Sequence, residues 1–143
     1  MCIRDSVETL LDTGYVPVIA TVAALASGES GARDHLYNVN ADTAAAPLAR
    51  ALEADALVFL TDVPGVLDAD KRRIPELTPQ RAAELRASGV ITGGMIPKVA
   101  MALAASAELP NGLVKIAPAA GESALLRALE SSTGTRFTQE SSR

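Results

Sequence analysis

The chain alternates short apolar runs with longer stretches in which apolar residues recur at helical spacing. The short runs predict β-strands, because they are rich in β-branched or aliphatic residues and are bounded by glycine or polar turns. They are residues 14–25, 36–39, 56–60, 113–117 and 135–138. The first run is predicted to be a buried strand that forms a hairpin with the second. Pro17 has no N–H for a ladder, so it should lie at an edge or at the start of its strand.

The longer stretches predict four helices, at about residues 43–53, 78–89, 93–109 and 122–130. The second carries its own boundary signals, with Thr78 as N-cap, Pro79 at the first helical position and Gly89 just past the end. Pro47 falls inside the first, where it removes an interior hydrogen bond. That helix therefore either begins a residue or two later than Asp42 suggests, or it kinks.

Strands that alternate with helices imply parallel strands joined by crossover helices. The predicted fold class is α/β, a three-layer sandwich with a mainly parallel sheet. The 143 residues allow one sizeable core and are too few for two full domains. Residues 1–6 are too short and polar for a signal peptide and connect poorly with the rest of the chain, so we treat them as a non-native head. Residues 7–138 form the predicted domain, and residues 139–143 a flexible tail.

Composition excludes several classes of function. The net charge of −4 argues against a nucleic-acid partner, and the basic residues 71–73 are interpreted as a solvated loop. No apolar run approaches the ~20 residues of a membrane helix, so we expect a soluble protein. Cys2 is the only cysteine and His35 the only histidine, so there is no internal disulfide, no zinc cluster and no recognisable Ser-His-Asp triad. Phosphate-loop, protein-kinase and dinucleotide fingerprints are also absent from the sequence.

Ligands in parallel sheets bind outside the carboxyl ends of strands, and three polar segments occupy such positions. The first is "YNVNAD", residues 37–42. Asn38 and Asn40 lie on one face if the segment is extended, and Asp42 falls at the start of the next helix. The alternative interpretation is that Asn40 or Asp42 only caps that helix.

The other two segments are "LTDVPGVL", residues 60–67, and "VITGGMIPK", residues 90–98. In the first, a strand ends in Thr61 and Asp62 before a tight turn, which bare of context is an ordinary β-turn. In the second, two glycines let backbone amides approach an anion, and the helix N-terminus and Lys98 add positive charge. The alternative there is a plain glycine loop with a solvated Lys98.

Taken together, "YNVNADTAA", "LVFLTDVPGVL" and "GVITGGMIPKV" resemble the C-terminal half of the acetylglutamate kinase branch of the amino acid kinase family. The resemblance runs from about residue 7 to residue 137, and "GTRF" resembles the family's last strand. It implies the amino acid kinase fold and phosphorylation, by ATP with Mg²⁺ carried on the nucleotide, of the side-chain carboxylate of N-acetyl-L-glutamate. That reaction is the second step of arginine synthesis, and it implies a cytoplasmic enzyme with small-molecule substrates and a homo-oligomeric parent.

The resemblance also implies residue roles. Asn38 resembles the residue that binds acetylglutamate, Asp42 the aspartate that orients catalytic lysines, and Lys98 the lysine that stabilises the transferring phosphoryl group. The segments that resemble the nucleotide-binding parts are Asp62, Val63, Pro64, Gly65, Val66 and Leu67, and Val90, Ile91 and Thr92. No metal ligand is predicted. Asn40 is expected to support the turn or cap between Asn38 and Asp42.

The chemistry agrees with these roles. An acceptor carboxylate with a pKa near ~4.3 is ionised at neutral pH and needs no general base, so the lack of a suitable histidine is expected. Phosphoryl transfer instead needs alignment and neutralisation of spreading negative charge, which lysines, magnesium and helix dipoles supply.

The family's N-terminal half, with a second phosphate-binding lysine, a Gly-Gly loop and a substrate-binding arginine, has no counterpart in this sequence. We therefore expect a fragment that is inactive alone and exposes an apolar sheet edge near Gly14. Two alternatives stay open: another amino acid kinase, such as carrier-protein aminoadipate kinase, and a catalytically dead nucleotide-binding or regulatory module.

Overall fold

The structure is a computed structural model that describes residues 3–24 and 36–139. Five helices lie within these ranges: α1 Ile3–Asp12, α2 Ala41–Ala51, α3 Pro79–Ala87, α4 Met95–Glu108 and α5 Ala124–Leu129. Six strands accompany them: β1 Val22–Ala24, β2 Leu36–Asn38, β3 Ala56–Thr61, β4 Glu76–Leu77, β5 Leu113–Pro118 and β6 Thr135–Phe137. Cys2, His35 and most of the predicted tail lie outside the described residues, as does the loop between β1 and β2. None of the described helices is both long and apolar enough to cross a membrane.

The main sheet has the strand order β3-β5-β6-β4. β3 pairs with β5, and β4 with β6, in parallel, whereas β5 and β6 are antiparallel. β1 and β2 form a separate antiparallel pair, in which Val22 is opposite Asn38. The α/β class with a mainly parallel sheet is therefore confirmed, and so is the pairing of the first two strands.

Helices cover both faces of the main sheet. Phe59 of β3 is in register with Ile116 of β5, and both belong to the core that includes buried residues of α2 and α4. Side chains alternate between the two faces of a strand, so Lys115 projects to the opposite face. α5 contacts β3 and β5, and its Ala128 is fully buried. These contacts produce the predicted three layers.

Local signals correctly predicted the helix boundaries of α3. The Thr78 hydroxyl accepts a hydrogen bond from the Arg81 N–H at 3.3 Å, Pro79 opens the helix, and Gly89 follows it with a φ of +72°. α2 begins at Ala41 with Pro47 inside it, so the alternative of a later start is wrong.

The prediction of a buried strand over residues 14–25 is wrong. Within its described part, residues 14–24, only Val22–Ala24 is a strand, and Val16 and Val18 are 88% and 95% exposed. A β-strand exists only where a neighbour supplies ladder hydrogen bonds, and residues 15–20 have no strand partner in the described part of the chain. The β-branched composition of this segment is therefore not sufficient to place it in a sheet.

The excluded head contributes to structure. Residues 3–6 form the first turn of α1, where Arg4 and Glu8 make an ion pair of 2.7 Å at the i,i+4 spacing. Val7 on the same helix is only 5% exposed. The apolar residues at positions 7, 10 and 11 lie beyond the excluded head and have helical spacing, a signal that was not used to predict a helix. The non-native origin of residues 1–6 stays a prediction.

Candidate functional site

The first turns of α2 and α4 lie side by side next to β3. The two helices pack against each other, and each begins inside one of the polar segments singled out in the sequence. Asp42 is in the first turn of α2 and Lys98 in the first turn of α4. Although 56 residues separate them in the chain, the Lys98 Nζ lies 2.8 Å from Asp42 Oδ1 and 3.0 Å from Asp42 Oδ2.

This ion pair is partly open to solvent. The side chains of Lys98 and Asp42 are 20% and 24% exposed, so the pair is neither sealed in the core nor free on the surface. An ammonium group has three donors. Asp42 uses both of its oxygens on this group, and at least one N–H of Lys98 remains for a ligand. The geometry is therefore that of an anchored cation at the edge of the sheet.

An aromatic ring forms one wall beside the ammonium group. The Lys98 Nζ lies 5.8 Å from the centroid of the Phe59 ring, and Phe59 is held in the core of the sheet at 5% exposure. A cation within about 6 Å of a ring face is attracted by its quadrupole. The ring thus favours the position of Lys98 over the end of β3.

Asn40 and Asn38 have different surroundings. Asn40 is the N-cap of α2, and its Oδ1 accepts from the backbone N–H groups of Asp42 at 3.0 Å and Thr43 at 3.3 Å. The expected capping role of Asn40 is confirmed, and Asp42 is left free to hold Lys98. Asn38 ends β2 and is exposed, with no side-chain hydrogen bond to any described residue.

We expect Asn40→Ala to lower the free energy of unfolding by about 1 kcal/mol, because two amides of the first turn lose their acceptor. Asn40→Asp should preserve stability, since a carboxylate caps equally well and favours the positive end of the helix. Urea denaturation of both variants checks this expectation. An unchanged free energy of unfolding in Asn40→Ala would show that the cap contributes nothing.

The loop before α4 offers a smaller set of amides than the sequence suggested. The N–H groups of Met95 and Ile96 donate to Thr92 O and Gly93 O at 3.2 Å, and Pro97 has no N–H. Gly94 is the N-cap, and as a glycine it has no side chain that could accept a hydrogen bond from the first turn. Within this loop the backbone N–H groups of Gly93 and Gly94 have no hydrogen-bond partner among the described residues.

The loop after β3 contains both exposed residues and residues whose backbone groups are bonded within the fold. Asp62 is exposed and accepts from the Thr61 hydroxyl at 3.2 Å, and Pro64 is exposed as well. Val66 is only 1% exposed. Its N–H donates to Thr135 Oγ1 at 2.9 Å and its carbonyl accepts from the Ile74 N–H at 2.8 Å.

The segment 90–92 likewise combines residues bonded within the fold with an exposed polar residue. Ile91 is 4% exposed, and the N–H groups of Val90 and Ile91 both donate to Leu85 O. Val66, Val90 and Ile91 are thus committed to the fold, and the polar side chains of these segments that remain for a ligand are those of Asp62 and Thr92. The nucleotide-binding role of both segments stays a prediction.

A cleft of about 510 Å³ is lined by Val90 of the second segment and by residues that directly follow the first segment in the chain. It lies between the turn at Asp68 and Asp70 and the end of α3, and Leu85 and Val90 supply its apolar wall. Arg81 and Glu84, which form an ion pair of 2.8 Å, stand at its rim. Neither the cleft nor its rim was foreseen from the sequence.

Lys115 is a buried lysine that the sequence analysis did not single out. It is 2% exposed, and its Nζ donates to Glu130 O at 2.5 Å, at the end of α5. Burial lowers the pKa of Lys115, and the nearby charges of Arg73 and Arg136 lower it further. Because Lys115 projects to the face opposite Phe59, it is not part of the group around Lys98.

No cluster of three His, Cys, Asp or Glu side chains suited to a metal ion occurs among residues 3–24 and 36–139. The positive charge at the strand ends is instead supplied by Lys98 and by helix dipoles. The fold and this pair define an α/β protein whose polar site lies at the carboxyl ends of its strands.

Comparison with known proteins agrees with that class. The family model described as "Amino acid kinase family" matches residues 3–112. The chain therefore belongs to the amino acid kinase family. The matched range contains Asn38, Asp42 and Lys98 together with both loop segments.

Individual relatives support the same assignment. The chain is 51% identical over 98 residues to the acetylglutamate kinase of Methanopyrus kandleri, covering 66% of this chain and 37% of the relative. It is 43% identical over 132 residues to the acetylglutamate kinase of Agrobacterium fabrum, covering 92% of this chain and 43% of the relative. The solved structure of smu.665 from Streptococcus mutans superposes with a TM-score of 0.71 at 30% identity, covering 94% of this chain and 47% of that one. The chain thus spans less than half the length of these proteins.

Proposed function

We propose that the protein to which this chain belongs transfers the γ-phosphoryl group of ATP to the side-chain carboxylate of N-acetyl-L-glutamate. The observation that carries the proposal is the Lys98–Asp42 pair, which holds a cation with an unused donor at the strand ends. The relatives named acetylglutamate kinase support the choice of reaction and acceptor.

In this reaction an oxygen of the acceptor carboxylate forms a bond to the γ-phosphorus, and the bond from that phosphorus to the bridging oxygen of ADP breaks. The products are an acyl phosphate and ADP. The acceptor is ionised at neutral pH, because carboxyl groups of this type have a pKa near ~4.3, and no proton has to be removed. The protein's task is to align two anions and to neutralise charge.

Lys98 is suited to neutralise the charge that spreads over the phosphoryl oxygens. Asp42 holds the ammonium group in place through two hydrogen bonds, and Phe59 limits its movement towards the sheet. Asn38 is exposed at the end of β2, close in sequence to the Asp42 turn, and offers an amide to the acceptor. Lys98 would act on the transferring phosphoryl group, Asp42 would hold the Lys98 ammonium group, and Asn38 would bind the acceptor.

The remaining polar groups and the cleft beside them are suited to bind the nucleotide. The open N–H groups of Gly93 and Gly94 are suited to phosphate oxygens, and the cleft between Asp68 and Val90 has room for the nucleoside. Mg²⁺ would be carried by the phosphates, since the described residues group no set of metal ligands for it. Metal-bound phosphates lower the charge that Lys98 must balance.

The test is to assay the protein at its full native length for ATP-dependent acyl phosphate formation, trapped with hydroxylamine. We expect turnover with N-acetyl-L-glutamate and little with a carrier-bound aminoadipate acceptor. Turnover with the second acceptor alone would move the protein to another kinase of the same family. Binding of ATP without turnover of either acceptor would favour a nucleotide-binding regulatory module.

The cytoplasmic location and the homo-oligomeric assembly implied by the family are also parts of the proposal. Sedimentation of the full-length protein measures its assembly directly, and a monomer at all concentrations would reject that part. Cell fractionation tests its location.

A further inference from the structure

The hydroxyl of Thr135 joins the two arms of the loop that follows β3. Thr135 opens β6 and is fully buried. Its Oγ1 accepts from the Val66 N–H at 2.9 Å, across 69 residues of sequence, and donates to Ile74 O at 2.7 Å. A single side chain therefore satisfies a buried donor on one arm and a carbonyl on the other.

The two arms form a narrow hairpin. The Ile74 N–H donates to Val66 O at 2.8 Å, and Leu67 forms an antiparallel bridge with Arg73. At the tip, the Asp68 side chain accepts from the N–H groups of Asp70 and Arg72. The hairpin is thus a compact unit that can be placed as a whole.

Gly65 makes room for this contact. A Cβ at position 65 would lie 2.7 Å from Thr135 Oγ1, and the φ of +144° is a conformation that residues with a side chain rarely adopt. The backbone of the loop therefore approaches β6 more closely than a residue with a side chain would allow. A second contact lies nearby, where Arg73 Nη1 donates to Gly134 O.

β6 is itself fixed to the centre of the sheet. Thr135 pairs with Ile116 of β5, and β5 is the direct neighbour of β3. The loop leaves β3 at Thr61, so its start is set by β3 and its end by Thr135. The exposed residues Asp62 and Pro64 lie between these two fixed points.

We infer that Thr135 is a positioning residue for the nucleotide: its hydroxyl sets where the loop of residues 62–67 stands relative to Lys98. This inference rests on the proposed function, in which that loop binds ATP. Thr135 does not touch the nucleotide and acts through the backbone of Val66 and Ile74.

The experiment compares Thr135→Val with Thr135→Ser in the full-length enzyme. The valine removes the hydroxyl and leaves the Val66 N–H buried without an acceptor, so we expect KM for ATP to rise on the order of tenfold. The KM for the acceptor should stay nearly constant. Serine keeps the hydroxyl and should restore KM for ATP to near the unsubstituted value.

Thr138→Val is the matched control. The Thr138 hydroxyl donates to Glu76 Oε1 at 2.8 Å, just beyond the same strand, in an exposed pair that makes no hydrogen bond to Val66 or Ile74. The Thr138→Val substitution should leave KM for ATP unchanged. Should Thr135→Val fail to fold, Thr135→Ala against Thr135→Ser removes the same hydroxyl without placing a methyl group beside Gly65.

Amide hydrogen exchange at Val66, measured without nucleotide, reports on the loop independently of turnover. Faster exchange in Thr135→Val together with a higher KM for ATP supports the inference. An active enzyme whose KM for ATP is unchanged in Thr135→Val rejects the inference alone, whatever the exchange shows. A full-length enzyme that never uses ATP rejects the proposed function, and the inference falls with it.

Discussion

Lys98→Ala in the full-length enzyme is expected to lower kcat by on the order of 10³-fold, the scale seen when one charge-stabilising donor of a transition state is removed. The reason is that the Lys98 ammonium group, which Asp42 holds in place, brings a full positive charge to the strand ends beside β3. Initial rates of acyl phosphate formation at saturating ATP and acceptor measure the effect. Lys98→Arg should recover little activity, because a planar guanidinium cannot occupy the position of a compact ammonium group.

The chain offers a matched control on the same two helices. Arg50 and Glu108 connect α2 and α4 through an exposed ion pair of 3.8 Å, and the two residues stand near the C-terminal ends of these helices. Arg50→Ala should leave kcat unchanged and cost little stability, since exposed pairs contribute about 0–1 kcal/mol. A rate for folded Lys98→Ala within tenfold of the unsubstituted enzyme would exclude Lys98 from the chemistry and favour a regulatory role for the site.

Gly134→Ala is expected to be the most destabilising substitution among the glycines that the structure describes, at about 3–5 kcal/mol. Gly134 has a φ of +71°, and an added Cβ would lie 2.5 Å from Ile116 O and 2.9 Å from the Ala117 Cβ. The first neighbour is backbone in the central part of the sheet, so it cannot turn aside. Urea denaturation gives the free energy of unfolding from the midpoint and the slope.

Gly89→Ala separates the two causes of that cost. Gly89 has nearly the same φ, +72°, but no atom lies within 4 Å of its added Cβ. It should therefore show only the conformational cost of the left-handed region, about 1 kcal/mol. Equal losses in the two variants would mean that the sheet yields at Ile116. A Gly134→Ala chain that does not fold, beside a folded Gly89→Ala, agrees with the expected order.

Most of the elements were predictable because their signals are local. Thr78, Pro79 and Gly89 mark the two ends of α3 within a dozen residues of chain, and the structure keeps all three in those roles. The short apolar runs that became β3 and β5 also carried their own turn signals. The helix α1 was missed, because residues 1–6 were excluded and the helical spacing of the apolar residues after them was not used.

The candidate site was predictable in its parts. The sequence singled out Asp42 and Lys98 because each stands where a strand gives way to a helix, and the family resemblance then linked them. The pattern left open whether Asn40 or Asp42 caps α2, and whether Lys98 is solvated. The structure decides both questions, since the Asn40 side chain takes the cap and Asp42 is bonded to Lys98.

The sequence alone determined the type of most elements, most helix boundaries and the residues that could carry charge at the strand ends. Only the tertiary structure decided that residues 56 positions apart form an ion pair, that Thr135 holds the loop after β3, and that residues 15–20 have no strand partner among the described residues. The physical reason is the range of the forces involved. Caps and turns act between near neighbours in the chain, whereas sheet order and side-chain contacts depend on which distant segments the fold brings together.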